Sequence, residues 1–101
     1  MEEKEILDTS VAINRKEGIV TIFTVIEYPK AIESFEIIFP ETQDYVKGIE
    51  IAANLRKKGT PIGAIDTLIA AICLNRKAVL VTSDNDFKQI KEIYSEFKIK
   101  N

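Results

Sequence analysis

The chain has 101 residues, of which 46% are hydrophobic and 30% charged, so it can form one folded domain, expected to span residues 1–101, but not two. Its net charge of -2 excludes nucleic-acid binding through a general positive field, so any such contact must be local or metal-assisted. Because histidine is absent and Cys73 is the only cysteine, the chain cannot assemble a catalytic triad, a histidine-ligated zinc site or an intrachain disulfide.

The first predicted element is a short strand at Glu5–Leu7, which ends at Asp8. Thr9 and Ser10 follow as hydroxyls that are expected to cap a short helix. Gly18 is expected to close that helix.

The β-branched run Ile19–Phe23 predicts a buried second strand. After it, Thr24 is expected to cap a helix that continues to about Ser34. Pro29 would then lie near the first turn, where proline is tolerated. A third strand is predicted at Phe35–Phe39.

The longest helix is predicted at Thr42–Lys58, before Gly59. Its apolar residues recur at three- and four-residue spacing, which predicts an amphipathic helix. They are Tyr45, Val46, Ile49, Ala52, Ala53 and Leu55. Tyr45, Ile49 and Ala53 are therefore expected in the core or in a dimer interface.

A strongly apolar helix is predicted at about Ala64–Asn75, with Cys73 as a small core residue. A buried strand follows at Ala78–Thr82, then a turn, a further helix and a last strand at Phe97–Lys100. Strands that alternate with helices predict a three-layer α/β/α fold, in which a central parallel sheet carries helices on both faces.

Four of the five aspartates adjoin the most apolar stretches of the chain: Asp8, Asp66, Asp84 and Asp86. In an open parallel sheet, ligands bind beyond the carboxyl ends of the strands, near the topological switch point. Asp8 and Asp84 come just after predicted strands, and Glu27 lies in the helix that follows the second strand. Asp66 can reach the same edge from the first turn of its helix. One edge of the sheet can therefore collect four carboxylates.

Such a cluster predicts a bound cation. Two carboxylates about 4 Å apart repel by roughly 4 kcal/mol at an effective dielectric constant near 20, so several in one cleft must protonate or share a cation. Ligation by oxygen alone favours Mg²⁺ or Mn²⁺ over zinc. Such a metal can activate water and stabilise the charge that develops on a phosphodiester during hydrolysis.

Four ordered motifs resemble those of a PIN (PilT N-terminus) domain, the fold of metal-dependent ribonucleases that includes the VapC toxins of toxin-antitoxin pairs. The motifs are L-D-T-S, T-V-I-E-Y, G-x-P-I-G-A-I-D-T-L-I-A-A-I and L-V-T-S-D-N-D-F, and they span almost the whole chain. The resemblance implies a sheet of order 3-2-1-4-5. It also implies cleavage of single-stranded or loop RNA to leave a 5′-phosphate and a 3′-hydroxyl.

The resemblance also assigns residues and partners. The catalytic and metal-binding acids would be Asp8, Glu27, Asp66 and Asp84, with Asp86 as an auxiliary acid or as a helix cap. Ser10 and Thr82 would be supporting hydroxyls near the site. The implied cofactor is Mg²⁺ or Mn²⁺, and the implied partners are an RNA substrate, an antitoxin protein and a second copy in a homodimer.

The chain departs from the family in one respect. Family members usually carry a helical segment between the first helix and the second strand, where this chain has only Asn14–Gly18. This departure leaves RNA specificity and partner binding open. Two other functions also stay open: a PIN nuclease of RNA processing or quality control without an antitoxin, and a catalytically silent PIN domain that acts as a binding module.

Each acid also has a structural interpretation. Asp8 could cap the first helix, and Glu27 could complement the dipole of a first helical turn. Asp66 also lies in a first turn, although an acid in so apolar a helix favours coordination. Asp84 and Asp86 compete for the same role, with Asp84 favoured as the ligand and Asp86 as the cap of the following helix.

The remaining charges and the apolar runs bear on partners and location. The basic segments 56–58 and 76–77 lie at helix C-termini, where solvated groups that compensate the helix dipole are more common than RNA ligands. No run approaches the roughly 18 apolar residues of a transmembrane helix, and no signal segment follows the charged N-terminus. A soluble, cytoplasmic protein is therefore expected.

Overall fold

The computed structural model describes residues 3–101, in which short strands alternate with helices. The strands are β1 (Glu5–Leu7), β2 (Gly18–Thr21), β3 (Phe35–Ile38), β4 (Val79–Val81) and β5 (Lys98–Lys100). The helices are α1 (Thr9–Ala12), α2 (Ile22–Glu27), α3 (Thr42–Lys58), α4 (Ala64–Arg76) and α5 (Lys88–Ile93). Short 3₁₀ helices at Pro29–Glu33 and Asn85–Phe87 precede β3 and α5.

The strands form a parallel sheet in the order β3-β2-β1-β4-β5. The predicted α/β fold with strand order 3-2-1-4-5 is thus confirmed. In the central strand, Ile6 pairs with Ile19 of β2 on one side and with Leu80 of β4 on the other. The chain runs outward from β1 to β3 and then returns to begin again at β4. The topological switch point therefore lies between β1 and β4.

Side chains alternate across the sheet and fill a core on each face. Ile6 and Leu80 belong to one core, together with Cys73, whereas Leu7 and Val81 belong to the other. Strands that are buried on both faces have continuous apolar sequences, as β4 does. Burial raises the pKa of the Cys73 thiol to about 12, so Cys73 is an unreactive core residue, as predicted.

Helix α3 buries a different face from the predicted one. Its buried residues are Asp44, Gly48, Ile51 and Leu55. The interpretation of Tyr45, Ile49 and Ala53 as core residues is wrong, because all three are exposed. Gly48 faces Leu68 and Ala71 of α4. Because glycine has no side chain, α3 packs against α4 on the face that contains Gly48. The apolar row is left at the surface, and its predicted role in a dimer interface stays a prediction.

Gly18 does not close α1, which ends at Ala12. It is instead the first residue of β2, with a φ of 145°. A Cβ atom at this position would lie 2.9 Å from Cδ1 of Leu7 in the neighbouring strand. Both the backbone conformation and the close packing therefore require glycine.

The long helix predicted between β2 and β3 is divided. Thr24 does not cap it, because α2 already begins at Ile22 and ends at Glu27. Pro29 disfavours the helical conformation at Tyr28, whose φ of -138° and ψ of 78° separate α2 from the following 3₁₀ helix. Between α1 and β2, residues 13–17 form turns and bends without a helix, so this connection is as short as the sequence predicted.

The remaining elements lie close to their predicted bounds. Helix α3 has the predicted limits, and Gly59 ends it with a left-handed φ of 82°. Helix α4 extends one residue beyond its prediction, to Arg76, and β4 and β5 are shorter by one or two residues. In the part of the chain that the structure describes, no helix is both long and apolar enough to cross a membrane.

Candidate metal centre

Three carboxylates meet at the carboxyl edge of the sheet, next to the switch point. Asp66 of α4, Asp84 after β4 and Asp86 of the second 3₁₀ helix each offer an oxygen, and these oxygens all lie within 4.8 Å of one another. Asp66 is half-buried, whereas the other two are exposed. Such oxygens can bind one cation together.

The loop after β4 is shaped by Asp84. Its Oδ1 accepts a hydrogen bond of 2.9 Å from the backbone N–H of Asp86, and it holds the N-cap position of the 3₁₀ helix Asn85–Phe87. The assignment of Asp86 as the cap of α5 is wrong, because the N-cap residue of α5 is Phe87; the acid that caps in this loop is Asp84, and it caps the 3₁₀ helix. Asp84 keeps its other oxygen for a ligand, and the turn that it forms brings Asp86 into the cluster.

Asp66 has the most perturbed charge of the cluster. The pKa of its carboxyl is raised from 3.8 to about 6, first by desolvation and then by the charges of Asp8, Asp84, Asp86 and Glu27. All four other acids are thus near enough to Asp66 to repel its ionised form. Its position in the first turn of α4 offsets part of that repulsion, since a helix N-terminus favours negative charge.

Asp8 lies beside the cluster, and its carboxylate is held by Thr82, which directly follows β4. It occupies the N-cap position of α1, but within residues 3–101 its side chain accepts no capping hydrogen bond. Instead, Oδ2 accepts a hydrogen bond of 2.8 Å from the hydroxyl of Thr82. That hydroxyl in turn accepts the backbone N–H of Asp84 at 3.0 Å. Thr82 therefore fixes, relative to each other, two acids that lie beyond the ends of the neighbouring strands β1 and β4.

Glu27 is the last residue of α2 rather than part of its first turn. The interpretation that it complements a helix N-terminus is therefore wrong, since a negative charge at a helix C-terminus is unfavourable. Its Oε1 accepts a hydrogen bond of 2.6 Å from the hydroxyl of Thr9. The position of Glu27 has an electrostatic cost and no capping function, which favours a role in the site.

The hydroxyls of the D-T-S motif do not cap α1, because both residues lie inside it. Thr9 contacts Glu27, and its role was not predicted from the sequence. Ser10 accepts a hydrogen bond of 3.1 Å from Ser83, so it joins the loop after β4 at the rim of the site. Consecutive residues on a helix point in different directions. This pattern could have indicated that Thr9 and Ser10 contact different partners.

An apolar groove adjoins the acids. It has a volume of about 460 Å³ and is lined by Phe23, Ile26, Glu27, Gly63, Ala64, Ile65 and Asp66. A ligand bound at the carboxylates could therefore extend across α2 and the start of α4. A second cleft, of about 200 Å³, is lined by residues that include Thr82, Asp84 and Lys88.

The donor set fits a hard divalent cation. All the candidate ligands are carboxylate oxygens, and the sequence offers no histidine, while Cys73 is buried in the core. Desolvation first, and then the neighbouring acids, raise the pKa of Asp66, and a divalent cation bound there would favour the ionised carboxylate. A site of this composition suits Mg²⁺ or Mn²⁺ better than zinc.

A parallel sheet of this order, with carboxylates gathered at its switch point, defines an α/β protein whose strand ends offer a group of oxygens that could hold a cation. The family model that matches the sequence is the PIN domain, over residues 13–93. The chain therefore belongs to the PIN domain family, and the predicted resemblance is confirmed. The match includes Glu27 and the three clustered acids, and it begins after Asp8. No curated protein matches the sequence.

Solved structures of low sequence identity share the fold. A DNA-bound VapBC from Salmonella typhimurium is 22% identical, with a TM-score of 0.73 over 98% of this chain and 98% of that chain. VapBC-1 from nontypeable Haemophilus influenzae is 22% identical, with a TM-score of 0.77 over 96% of each chain. VapBC-5 from Mycobacterium tuberculosis, a member of a toxin-antitoxin family, is 17% identical, with a TM-score of 0.78 over 99% of each chain.

Proposed function

We propose that this chain is a Mg²⁺- or Mn²⁺-dependent endoribonuclease of the VapC toxin type, which hydrolyses RNA phosphodiester bonds. The observation that carries the proposal is the approach of Asp66, Asp84 and Asp86 to within 4.8 Å at the switch point of a PIN domain. The likeness to the VapBC structures supports the toxin class. The cytoplasm stays the predicted location.

The proposed ligands are the three clustered aspartates, with Asp8 and Glu27 at the edge of the same site. A bound divalent cation supplies Lewis-acid chemistry: it lowers the pKa of water and stabilises charge on a phosphodiester. The protein contributes the positions of the carboxylates. Thr82 holds Asp8, and the turn at Asp84 holds Asp86, so the site is organised before a ligand arrives.

Metal dependence follows from the charges. Besides desolvation, the charges of four neighbouring acids raise the pKa of Asp66, and a phosphodiester brings a further negative charge to the same place. Without a cation, the cluster would repel RNA, and the net charge of -2 offers no general attraction to offset that repulsion. A cation at the acids makes the same cleft attractive to a phosphate.

The proposed partners are an antitoxin protein and a second copy of the chain. Four large apolar side chains of α3 and α4 are exposed: Tyr45, Val46, Ile49 and Ile65. Three of them, Tyr45, Ile49 and Ile65, line a groove between the two helices, and Val46 is next to Tyr45 in sequence. An exposed apolar patch of this kind marks a protein interface more often than a free surface. We assign it to the homodimer.

The proposal is tested by RNA cleavage with Mg²⁺, with Mn²⁺ and with EDTA, using the full chain. Wild type should cut only with metal, and Asp8→Asn and Asp66→Asn should each lower the rate at least a hundredfold. Glu33→Gln, at an exposed acid of the 3₁₀ helix before β3, is the matched control and should cut as wild type does. Absence of metal-dependent cleavage by wild type, or full activity of both aspartate variants, would refute the assignment.

A further inference from the structure

We propose that Thr9 is a positioning residue of the metal centre, whose hydroxyl orients the Glu27 carboxylate toward the clustered aspartates. The proposal rests on the proposed function, because it assigns Glu27 to the metal site. It adds a hydrogen-bonded relay of three side chains, formed by Thr24, Thr9 and Glu27. The relay joins the start of α1 to the middle and the last residue of α2.

The donors and acceptors of the relay have one consistent arrangement. The hydroxyl of Thr9 lies 2.6 Å from Oε1 of Glu27 and 3.0 Å from the hydroxyl of Thr24. An ionised carboxylate only accepts hydrogen bonds, so Thr9 must donate its single proton to Glu27. Thr24 must then donate to Thr9, and the relay runs from Thr24 through Thr9 to Glu27.

The two hydrogen bonds of the relay each stabilise the side chain at one of its ends. Thr24 is buried, and a buried hydroxyl without a partner is costly, so its bond to Thr9 holds both side chains in place. Glu27 is exposed, lies at the unfavourable end of a six-residue helix and is repelled by Asp66. Without a donor, it would turn toward solvent, whereas the short bond from Thr9 keeps it beside the site.

The position of Thr9 makes it suited to this task. It directly follows Asp8, whose backbone N–H donates to the carbonyl of Val81 in the central pair of strands. The hydroxyl that orients Glu27 is therefore anchored to the same strand end as a proposed metal ligand. Ser10, the next hydroxyl, bonds to Ser83 instead, so Thr9 is the member of the motif that reaches Glu27.

Loss of the Thr9 hydroxyl should weaken metal binding without removing a ligand. Outer partners that orient a ligand are worth about ten- to a hundredfold in metal affinity, and we expect the lower end because Glu27 is exposed. Thr9→Val keeps the shape of the side chain and removes the donor. Thr9→Ser keeps the donor and removes only a methyl group.

The experiment measures Mn²⁺ affinity of the full chain by isothermal titration calorimetry at pH 7.5. Thr9→Val should bind about tenfold more weakly than wild type, and Thr9→Ser within about twofold of it. In a Glu27→Gln background, Thr9→Val should add less than about twofold, because the orienting donor no longer has a carboxylate to hold. Thr42→Val, at an exposed threonine that begins α3, controls for the substitution itself.

Three results would overturn the relay. They are wild-type affinity in Thr9→Val, an undiminished loss in the Glu27→Gln background, and no Mn²⁺ binding by wild type. If Thr9→Val folds poorly by circular dichroism, Thr9→Ala replaces it in the same comparison with Thr9→Ser. Because affinity is measured without RNA, a chain that binds metal and cuts no RNA refutes the proposed function while the relay is still judged on its own.

Discussion

The guanidinium of Arg76 donates from Nη1 to both carboxylate oxygens of Asp44, at 3.0 and 3.1 Å. Asp44 lies at the start of α3 and is fully buried, while Arg76 is the last residue of α4. Asn75 donates to the same carboxylate at 2.8 Å, and so does the backbone N–H of Glu41. This pairing fixes α4 against α3, and α4 carries Asp66 at its opposite end.

Removal of Arg76 should destabilise the fold. Arg76→Met keeps the aliphatic part of the side chain but leaves the Asp44 charge buried with only neutral donors, which costs about 3 kcal/mol. The free energy of unfolding in urea measures the loss. Arg56→Met, at an exposed arginine in the last turn of α3, should change it by less than about 0.5 kcal/mol. If Arg76→Met lowers the free energy of unfolding no more than Arg56→Met does, the buried ion pair contributes nothing to stability.

Asp44 also shows what a single sequence can and cannot predict. The aspartates beside apolar runs were recognisable, because an acid in such a context needs a partner or a cation. Asp44 lies in a polar stretch, and its partner is 32 residues away, so no local pattern marks it as the buried acid of the chain. Contacts between distant residues decide burial, and they also decided which face of α3 packs.

The strand order and the edge that collects the acids were predictable for a different reason. The alternation of strands and helices predicts a parallel sheet with its ligands at the strand ends, whereas the strand order was implied by the resemblance of the motifs to the PIN family. The roles of Thr9 and Asp84 were not predictable, because they depend on which oxygen meets which donor. Asp84 caps because a 3₁₀ helix, which the sequence did not predict, begins directly after it at Asn85.

Asp66 should make the metal-free protein less stable as the pH rises. Its pKa in the fold is about 6, against 3.8 as the ordinary value, so the folded state binds the proton more tightly. This group therefore contributes stability fully below about pH 4 and loses the contribution as the pH rises through 6. Asp66→Asn stays neutral, and in EDTA at pH 7.5 it should be more stable than wild type by about 1 kcal/mol, allowing for solvent screening.

Thermal unfolding at several pH values checks this prediction. At pH 4, the two proteins should have similar midpoints, and the advantage of Asp66→Asn should develop between pH 4 and 7. Mn²⁺ should raise the midpoint of wild type at pH 7.5 and have little effect on Asp66→Asn. A constant difference at all pH values would show that the substitution acts through packing rather than through the charge.

Two glycines should respond in opposite directions to alanine. Gly18→Ala forces a side chain onto a φ of 145° and to within 2.9 Å of Leu7, so we expect a loss of about 2 kcal/mol in the free energy of unfolding. Gly48 lies inside α3, where an added Cβ would be 3.7 Å from Cδ1 of Leu68, an ordinary contact. Gly48→Ala should therefore stabilise the protein by about 0.5 kcal/mol. A loss in both variants would mean that the α3–α4 contact is tighter than these distances indicate.

The exposed apolar row of α3 should hold two copies of the chain together. Ile49 is 72% exposed and Val46 63% exposed, although both belong to the row that the periodicity marks for burial. A groove of about 340 Å³ lies between α3 and α4, with Tyr45 and Ile49 on the α3 side and Ile65 on the α4 side. Contact with a second copy would remove this apolar row from water, which is favourable through the hydrophobic effect.

Ile49→Lys should therefore convert a dimer to a monomer, with little change in the stability of the monomer, because the side chain makes few contacts within it. Sedimentation velocity at several concentrations measures the change. Ile32→Lys, at a residue 65% exposed in the first 3₁₀ helix, tests whether any exposed isoleucine has this effect and should leave the dimer intact. A dimer that survives Ile49→Lys would place the interface elsewhere, and a wild-type chain that sediments as a monomer throughout would remove the homodimer from the proposal.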